Sequence, residues 1–407
     1  MEFKQERLDN GLAVIGEVME RARSAALGFF VRTGSRDENE TIAGTSHFLE
    51  HMMFKGTPTR TALEVNLEFD EMGAKYNAFT SEENTVYFAA VLPEYQERVL
   101  ALWSDLMRPS LREEDFEMEK GVICEEIAMY KDQPHFDVVD RCRRLHFGEH
   151  GCGNSVLGSA ESIQALTAEQ MRDYFRRRYA PDNMVLVGVG KIDWKALLKQ
   201  AQKLCGTWER SGAKRELGDF RGTGDTHFEQ KDIVREHICL MSQAPSAQST
   251  QRYAAGVLAN IMGDDTGSRL YWALIDPALA DAADLDYEPM DGTGLFSAYI
   301  SCDPKQASKV MEVVRDCLVK IRTEGVTEQE LDASKNKIAS TATLNGELPM
   351  GRLVPLGYNW VYRQEYRPLA EEIQAIQAVT REEVMNVLEQ YPLDTFSLQG
   401  LGVCKDF

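Results

Sequence analysis

Residues 163–167 read IQALT and residues 376–380 read IQAVT, an offset of 213 positions (376 − 163). Each opens a stretch of helical period, LTAEQMRDYFRRRYAP and VTREEVMNVLEQYP, with a threonine where an N-cap belongs and an acidic residue after it. Each then runs into an apolar segment ending in Gly-x-Gly, MVLVGVG at 184–190 and FSLQGLG at 396–402. The starts of the two halves agree in type: an apolar strand (ALGFFVRTGSRDE; REHICLMSQAPSAQ) precedes a helix in both. Helix, turn and strand recurring together at offsets of 213 and 212 are hard to obtain by chance and point to a chain built twice, and 407 residues exceed one ordinary core. The expectation is therefore an α+β protein of two homologous domains, residues 1–205 and 229–407. Residues 206–228, rich in glycine and charge and without period, read as a linker. The period is too long for a solenoid array. Alternating strands such as TVYFAAV (85–91) beside amphipathic helices predict an antiparallel-rich sheet in each domain, with helices packed on one face.

Composition narrows the partners. At 43% hydrophobic and 27% charged the chain reads as an ordinary soluble globular protein. No apolar run approaches the ~18–20 residues of a membrane span. The start, MEFKQERLDNGLAVIG, lacks the basic-then-apolar layout of a signal peptide, so a cytoplasmic location is expected. A formal charge of −20 argues against a nucleic-acid partner, which needs basic patches. That charge serves solubility, or favours basic substrates. Eight cysteines without a CxxC pair read as reduced core residues, Cys124 among them.

Against this background GTSHFLEHMMFKGT, residues 44–57, is anomalous. Thr45 or Ser46 can cap a helix on which His47, Glu50 and His51 share one side. The rest is Phe48, Leu49, Met52, Met53 and Phe54, and a helix apolar nearly all round is buried. Three titratable groups in a buried helix are costly unless satisfied. A hydrogen-bonded polar cluster would do so, and so would a divalent cation. Two imidazoles suit Zn²⁺, with Glu50 next to where a water on that metal would sit. H-x-x-E-H is the inverted zincin pattern.

A catalytic zinc needs a third protein ligand. Downstream, DFEMEKGVICEEIAMYKD (115–132) has helical period, with Phe116, Val122, Ile123, Ile127 and Tyr130 forming an apolar arc. At about 100° per residue, Glu119 and Glu126 fall near the middle of that arc, two turns apart. Two carboxylates aimed into a core repeat the anomaly of the first helix. One metal where both helices meet explains both, with Glu126 as third ligand and Glu119 behind it.

HFLEHMMFKGT, then GAKYNAFTSEENTVYF, then EKGVICEEIAMYKDQP, together resemble the pitrilysin/insulinase/mitochondrial-processing-peptidase family of inverzincins. The resemblance covers the whole chain, because that family is built from repeated α+β halves of this size. It implies one Zn²⁺ per chain held by His47, His51 and Glu126, with Glu50 as catalytic base and Glu119 as the supporting acidic residue. It implies a zinc-dependent endopeptidase acting on peptides or unfolded segments. Asn77, Ala78, Phe79 and Thr80 would form an edge strand along the site, to which an extended peptide adds through backbone hydrogen bonds.

There is a departure from the family pattern. Active relatives carry an Arg and a Tyr seven apart shortly after an SRL segment in the second half. Here Ser268-Arg269-Leu270 is present, but Asp281 stands where the Tyr would fall and Leu274 or Ile275 where the Arg would. Arg269 and Tyr287 are the nearby candidates for contact with substrate. The family's closed chamber takes four such domains, so a pair of chains is implied. The pair is either a homodimer or a heterodimer with a metal-free homologous chain that supplies the missing Arg and Tyr. The competing expectation is a non-catalytic assembly subunit.

A second HxxEH, HFGEH at 146–150, has the letters without the context. Gly148 weakens a helix and the flanks are glycine-rich. Residue 225, at the distance that separates His51 from Glu126, falls in the Gly-rich stretch RGTGDTHFEQ. His146 and His150 are expected in a loop, as surface or hydrogen-bonding histidines without metal.

Overall fold

The computed structural model describes residues 1–217, 220 and 222–407. Gly218, Asp219 and Arg221, within the stretch expected to be a linker, lie outside them. Two sheets form. The first has strands β1 (Glu2–Arg7), β2 (Ala13–Val18), β3 (Ala25–Val31), β4 (Lys75–Thr80), β5 (Thr85–Val91) and β6 (Met184–Gly190), in the order β1-β2-β6-β3-β5-β4. The second has β7 (Thr226–Gln230), β8 (Glu236–Gln243), β9 (Ala282–Pro289), β10 (Gly294–Cys302) and β11 (Ser397–Gly402), in the order β7-β11-β8-β10-β9.

Without β1, the two orders correspond strand for strand. β2 with β6 and β7 with β11 are parallel, and every other pairing is antiparallel. The Gly-x-Gly segments are β6 and β11, the apolar openings are β3 and β8, and TVYFAAV is β5. The threonine caps are there too. Thr167 and Thr380 each accept from the backbone N–H three residues on, and form capping boxes with Gln170 and Glu383. The α+β, antiparallel-rich class therefore stands.

Six helices matter below: α1 (Thr45–Met53), α2 (Glu113–Lys131), α3 (Pro134–Phe147), α4 (Ala168–Arg178), α5 (Pro349–Arg363) and α6 (Arg381–Gln390). The compact units are not contiguous in sequence. Unit 1 is Met1–Ile127, Asn154–Glu216 and Leu344–Pro368; unit 2 is Ala128–Gly153, Leu217–Thr343 and Leu369–Phe407. In unit 1, one face of the sheet (Leu27, Phe29, Tyr87, Leu186) packs with Phe48, Trp103 and Phe116. The opposite face (Ile15, Phe30, Val187) packs with Leu353 and Leu356 of α5. In unit 2, Ile238, Leu240 and Phe296 pack with Leu258 and Val314, while Cys239, Met241 and Leu401 on the other face meet Val138 and Cys142 of α3.

Each sheet thus has helices on the expected face and one further helix on the other. That helix comes from the opposite half of the sequence. α3 and α5 are repeat equivalents, since 134 shifted by 213 is 347, and each starts with Pro in its first turn. Burial on both faces explains why β6 is apolar or glycine throughout rather than alternating. α5 lies close on the sheet: a Cβ on Gly357 would come within 2.3 Å of the Phe30 ring. It also carries Arg352, whose guanidinium meets the fully buried Glu17 of β2 at 3.0 and 2.7 Å, with the Tyr366 hydroxyl donating to the same carboxylate at 2.9 Å.

The stretch 206–228 does not behave as a loose tether where it is described. Trp208 is buried in the unit 1 core, and Arg215 is enclosed, its guanidinium 3.1 and 2.7 Å from Asp37. β7 begins within it, at Thr226.

Candidate metal centre

α1 forms as its pattern requires. Phe48, Leu49, Met52 and Met53 are buried, and His47, Glu50 and His51 share the remaining side. Its start differs from expectation. Thr45 and Ser46 lie inside the first turn, the N-cap is Gly44 in the left-handed region (φ 87), and neither hydroxyl caps the helix. α2 is likewise a helix, with Phe116, Glu119, Ile123 and Ile127 buried. Val122 is not in that arc; it is exposed, about 100° from Ile123 on the wheel.

His47, His51 and Glu126 converge. One ligand atom from each lies within 4.8 Å of the others. Glu126 Oε2 is 3.7 Å from His47 Nε2 and 3.3 Å from His51 Nε2. These distances exceed a charge-assisted hydrogen bond. The His51 distance equals, and the His47 distance slightly exceeds, the roughly 3.3–3.5 Å between ligand atoms that zinc bonds of about 2.0–2.2 Å at tetrahedral angles require. The donor set of two imidazoles and a carboxylate fits zinc. Burial, with His51 alongside, pushes the His47 pKa down to about 3, so that ring is neutral with a free lone pair, as a ligand must be.

Glu119 stands behind His51, 97% buried, with its carboxylate 3.0 Å from His51 Nδ1. Lys55, one turn beyond His51, reaches its other oxygen at 2.5 Å. Burial alone would raise the Glu119 pKa, but His51 and Lys55 bring it below the usual carboxylate range. Burial works against a proton on His51, yet the Glu119 bond and the charges of Glu126, Glu119 and Glu50 outweigh it and raise that pKa. A carboxylate on the far nitrogen of a ligand histidine fixes the ring's orientation and tautomer. Among the described residues His47 has no such partner; its Nδ1 is buried without a hydrogen bond.

Glu50 points to the same side and is not part of the converging triad. Burial raises its pKa, opposed by a hydrogen bond from Thr80, whose Oγ1 donates to Glu50 Oε2 at 2.5 Å. Thr80 ends β4, the edge of the first sheet, with Asn77, Ala78 and Phe79 before it. The edge strand and α1 are therefore joined through Glu50. Arg269 and Tyr287 lie in unit 2 with partners of their own. Arg269 forks onto Glu330 at 2.7 and 3.0 Å and donates to the Gly325 carbonyl, and the Tyr287 hydroxyl donates to the Pro245 carbonyl at 2.7 Å.

The second HxxEH is split by a helix end. His146 is in the last turn of α3, not in a loop, and is buried; its Nδ1 is 3.0 Å from Ser397 Oγ. Gly148 ends that helix at φ 58, and His150 lies beyond it with Nε2 3.2 Å from the Leu217 carbonyl. Among the described residues the first motif alone belongs to a metal-sized cluster. At the repeat offset, unit 2 places Asn260, Gly263, Asp264 and Ala339 where unit 1 has His47, Glu50, His51 and Glu126.

Residues 14–160 match a family described as insulinase (peptidase family M16), and residues 165–338 one described as the peptidase M16 inactive domain. An uncharacterized zinc protease of Mycobacterium bovis is 32% identical over 385 residues, 93% of this chain and 88% of that protein. The chain belongs to the insulinase family of peptidases. A further relative, the uncharacterized zinc protease YmxG of Bacillus subtilis, is 30% identical and covered over 97% of both chains. The fold recurs in a protease from Helicobacter pylori (TM-score 0.91, 21% identity, 98% of this chain and 99% of that one). It recurs equally in a Pseudomonas fluorescens structure titled peptidase M16 inactive domain (TM-score 0.91, 17% identity, 99% of both). The insulinase fold therefore does not decide activity by itself, and the side chains must.

Two residues were missed by sequence reasoning. Lys55 had a signal: it follows His51 by four and so faces the same neighbour. Glu38, which anchors the start of α1, had none, because it approaches from a segment with no regular period.

Proposed function

We propose that the chain is a zinc-dependent endopeptidase that hydrolyses extended peptides laid along β4. The observation that carries this reading is the convergence of His47, His51 and Glu126 with Glu50 beside them and an edge strand hydrogen-bonded to Glu50. His47 and His51 Nε2 with Glu126 would hold the ion, and Glu119 orients His51. When bound, zinc lowers the pKa of water and polarises a scissile carbonyl. Glu50 takes the attacking water's proton and returns it to the leaving amine. Backbone groups of residues 77–80 pair with the substrate as an added strand, which binds many sequences. The pairing of two chains, identical or with a metal-free homologue, is part of the proposal.

The test is metal content and hydrolysis of a panel of quenched peptides by the purified chain, with its mass in solution. About one zinc per chain, cleavage abolished by chelation, and a mass of two chains are expected. A zinc-free preparation that cleaves nothing would favour an assembly subunit. That reading draws on the absent Arg/Tyr spacing and on the inactive-domain match.

A pH effect follows from the Thr80 contact. The Thr80 bond lowers a Glu50 pKa that burial raises. Thr80→Val removes the bond and keeps the β-branched shape. The base then stays protonated to higher pH, so the acidic limb of kcat/KM should move upward relative to the parent. An unmoved or downward-shifted limb in the measured pH profile would rule this out.

A further inference from the structure

α1 carries three site residues in nine positions but has no cap of its own. Its first-turn hydroxyls are used elsewhere: Thr45 Oγ1 donates to the Ile42 carbonyl at 2.6 Å, and Ser46 Oγ lies 2.6 Å from the Tyr174 hydroxyl. The helix start is instead held by Glu38. One carboxylate oxygen accepts from the Gly44 N–H at 2.7 Å and the other from the Ser46 N–H at 2.5 Å. A carboxylate here satisfies orphan N–H groups and complements the helix dipole.

Two facts indicate more than ordinary capping. First, the choice is costly: Glu38 is buried, and burial pushes its carboxyl up to about 7 against the pull of the Ser46 and Gly44 bonds. The usual solution is a short Ser, Thr, Asp or Asn on the N-cap residue itself, whereas Glu38 reaches Gly44 and Ser46 from six and eight residues upstream. Second, the helix start is fixed on the other side as well. A Cβ on Gly44 would lie 2.6 Å from the Leu157 carbonyl oxygen, and one on Gly158 2.6 Å from that of Ala43. The charged groups around Glu38 are ordered too: Asp37 beside it is paired with Arg178 and Arg215.

We propose that Glu38 is a positioning residue. By gripping the backbone on either side of Thr45 it sets the rotation of α1 at which His47 and His51 turn Nε2 toward Glu126 and Glu50 meets Thr80. This rests on the reading of the cluster as a zinc peptidase centre. A nine-residue helix has little stability of its own, so its orientation follows from what holds its first turn. Glu38→Gln puts an NH₂ where one backbone N–H needs an acceptor, and α1 rotates or frays at the end nearest His47.

The experiment compares the parent, Glu38→Gln, Glu38→Asp and Thr380→Ala, the last removing the cap of α6 in unit 2. Zinc affinity is read by chelator competition, kcat and KM on a quenched peptide, and stability by Tm. Glu38→Gln is expected to lose about 10–100-fold in zinc affinity and to lower kcat with KM within about twofold, as for groups that orient metal ligands. Thr380→Ala should lower Tm yet keep parental zinc affinity and kcat. Zinc affinity and kcat at parental values in Glu38→Gln overturn the proposal, and so do equal losses in Thr380→Ala. If Glu38→Gln does not fold, Glu38→Asp, which keeps the charge but reaches one methylene less, decides on the same two readouts. A parent that neither binds zinc nor cleaves peptide overturns both readings, whereas a parent that does both beside an unchanged Glu38→Gln overturns this one alone.

Discussion

Glu50→Gln is expected to lower kcat by about 10²–10⁴-fold while the protein keeps its zinc, the range that a positioned general base contributes. The amide has the shape of the carboxyl and can still accept the Thr80 hydrogen bond, so α1 and β4 stay joined. Glu50 is outside the triad of converging ligand atoms, so metal affinity should not move. What the amide lacks is a lone pair basic enough to take a proton. KM should change little, because Glu50 is expected to act on the reacting water and not on peptide backbone. Zinc content and single-peptide kinetics on the same preparation decide it. Parental turnover in a zinc-loaded Glu50→Gln would remove Glu50 from the chemistry, and loss of zinc would make it part of the metal's surroundings instead.

Arg352→Met should cost about 3–5 kcal/mol of unit 1 stability, because it leaves Glu17 buried without its cation. For a domain of about 150–250 residues that corresponds to a fall in Tm of roughly 6–20 °C. The Tyr366 hydroxyl, which donates to Glu17 Oε2, carries no charge and so does not replace the cation. The double variant Glu17→Leu/Arg352→Met should recover most of the loss, since replacing a whole buried pair by apolar groups is often neutral. Urea denaturation of the two single variants and the double gives the coupling. Additive single effects would show that the pair does not hold α5 to its sheet.

The cluster of His47, His51 and Glu126 was legible because α1 and α2 are regular. Once period 3.6 is assumed, two histidines four apart and two glutamates seven apart can only stack, and the polar side chains stand out against Phe48, Leu49, Phe116 and Ile123. The doubled α+β plan was legible through the repeat of MVLVGVG and FSLQGLG and their threonine-capped helices. What escaped were contacts made across long separations. Nothing local in RCRRLHF or GRLVPLGYNW says which sheet each helix covers, and the basic run in residues 141–144 hid the helix that buries His146. Glu38 escaped because a backbone N–H has no sequence signature. Nearness of Arg269 and Tyr287 to the SRL segment does not reveal that their polar ends meet Glu330 and the Pro245 carbonyl.

The crossing of α3 and α5 has a consequence in time. The last strand of the first sheet is complete at Gly190, but the helix that covers its second face ends at Arg363. At a synthesis rate of about 5–20 residues per second, roughly nine to thirty-five seconds separate the two. Until α5 is made, Ile15, Phe30 and Val187 lack the helix that buries them. The first sheet is therefore closed on both faces only once residues 349–363 have been made.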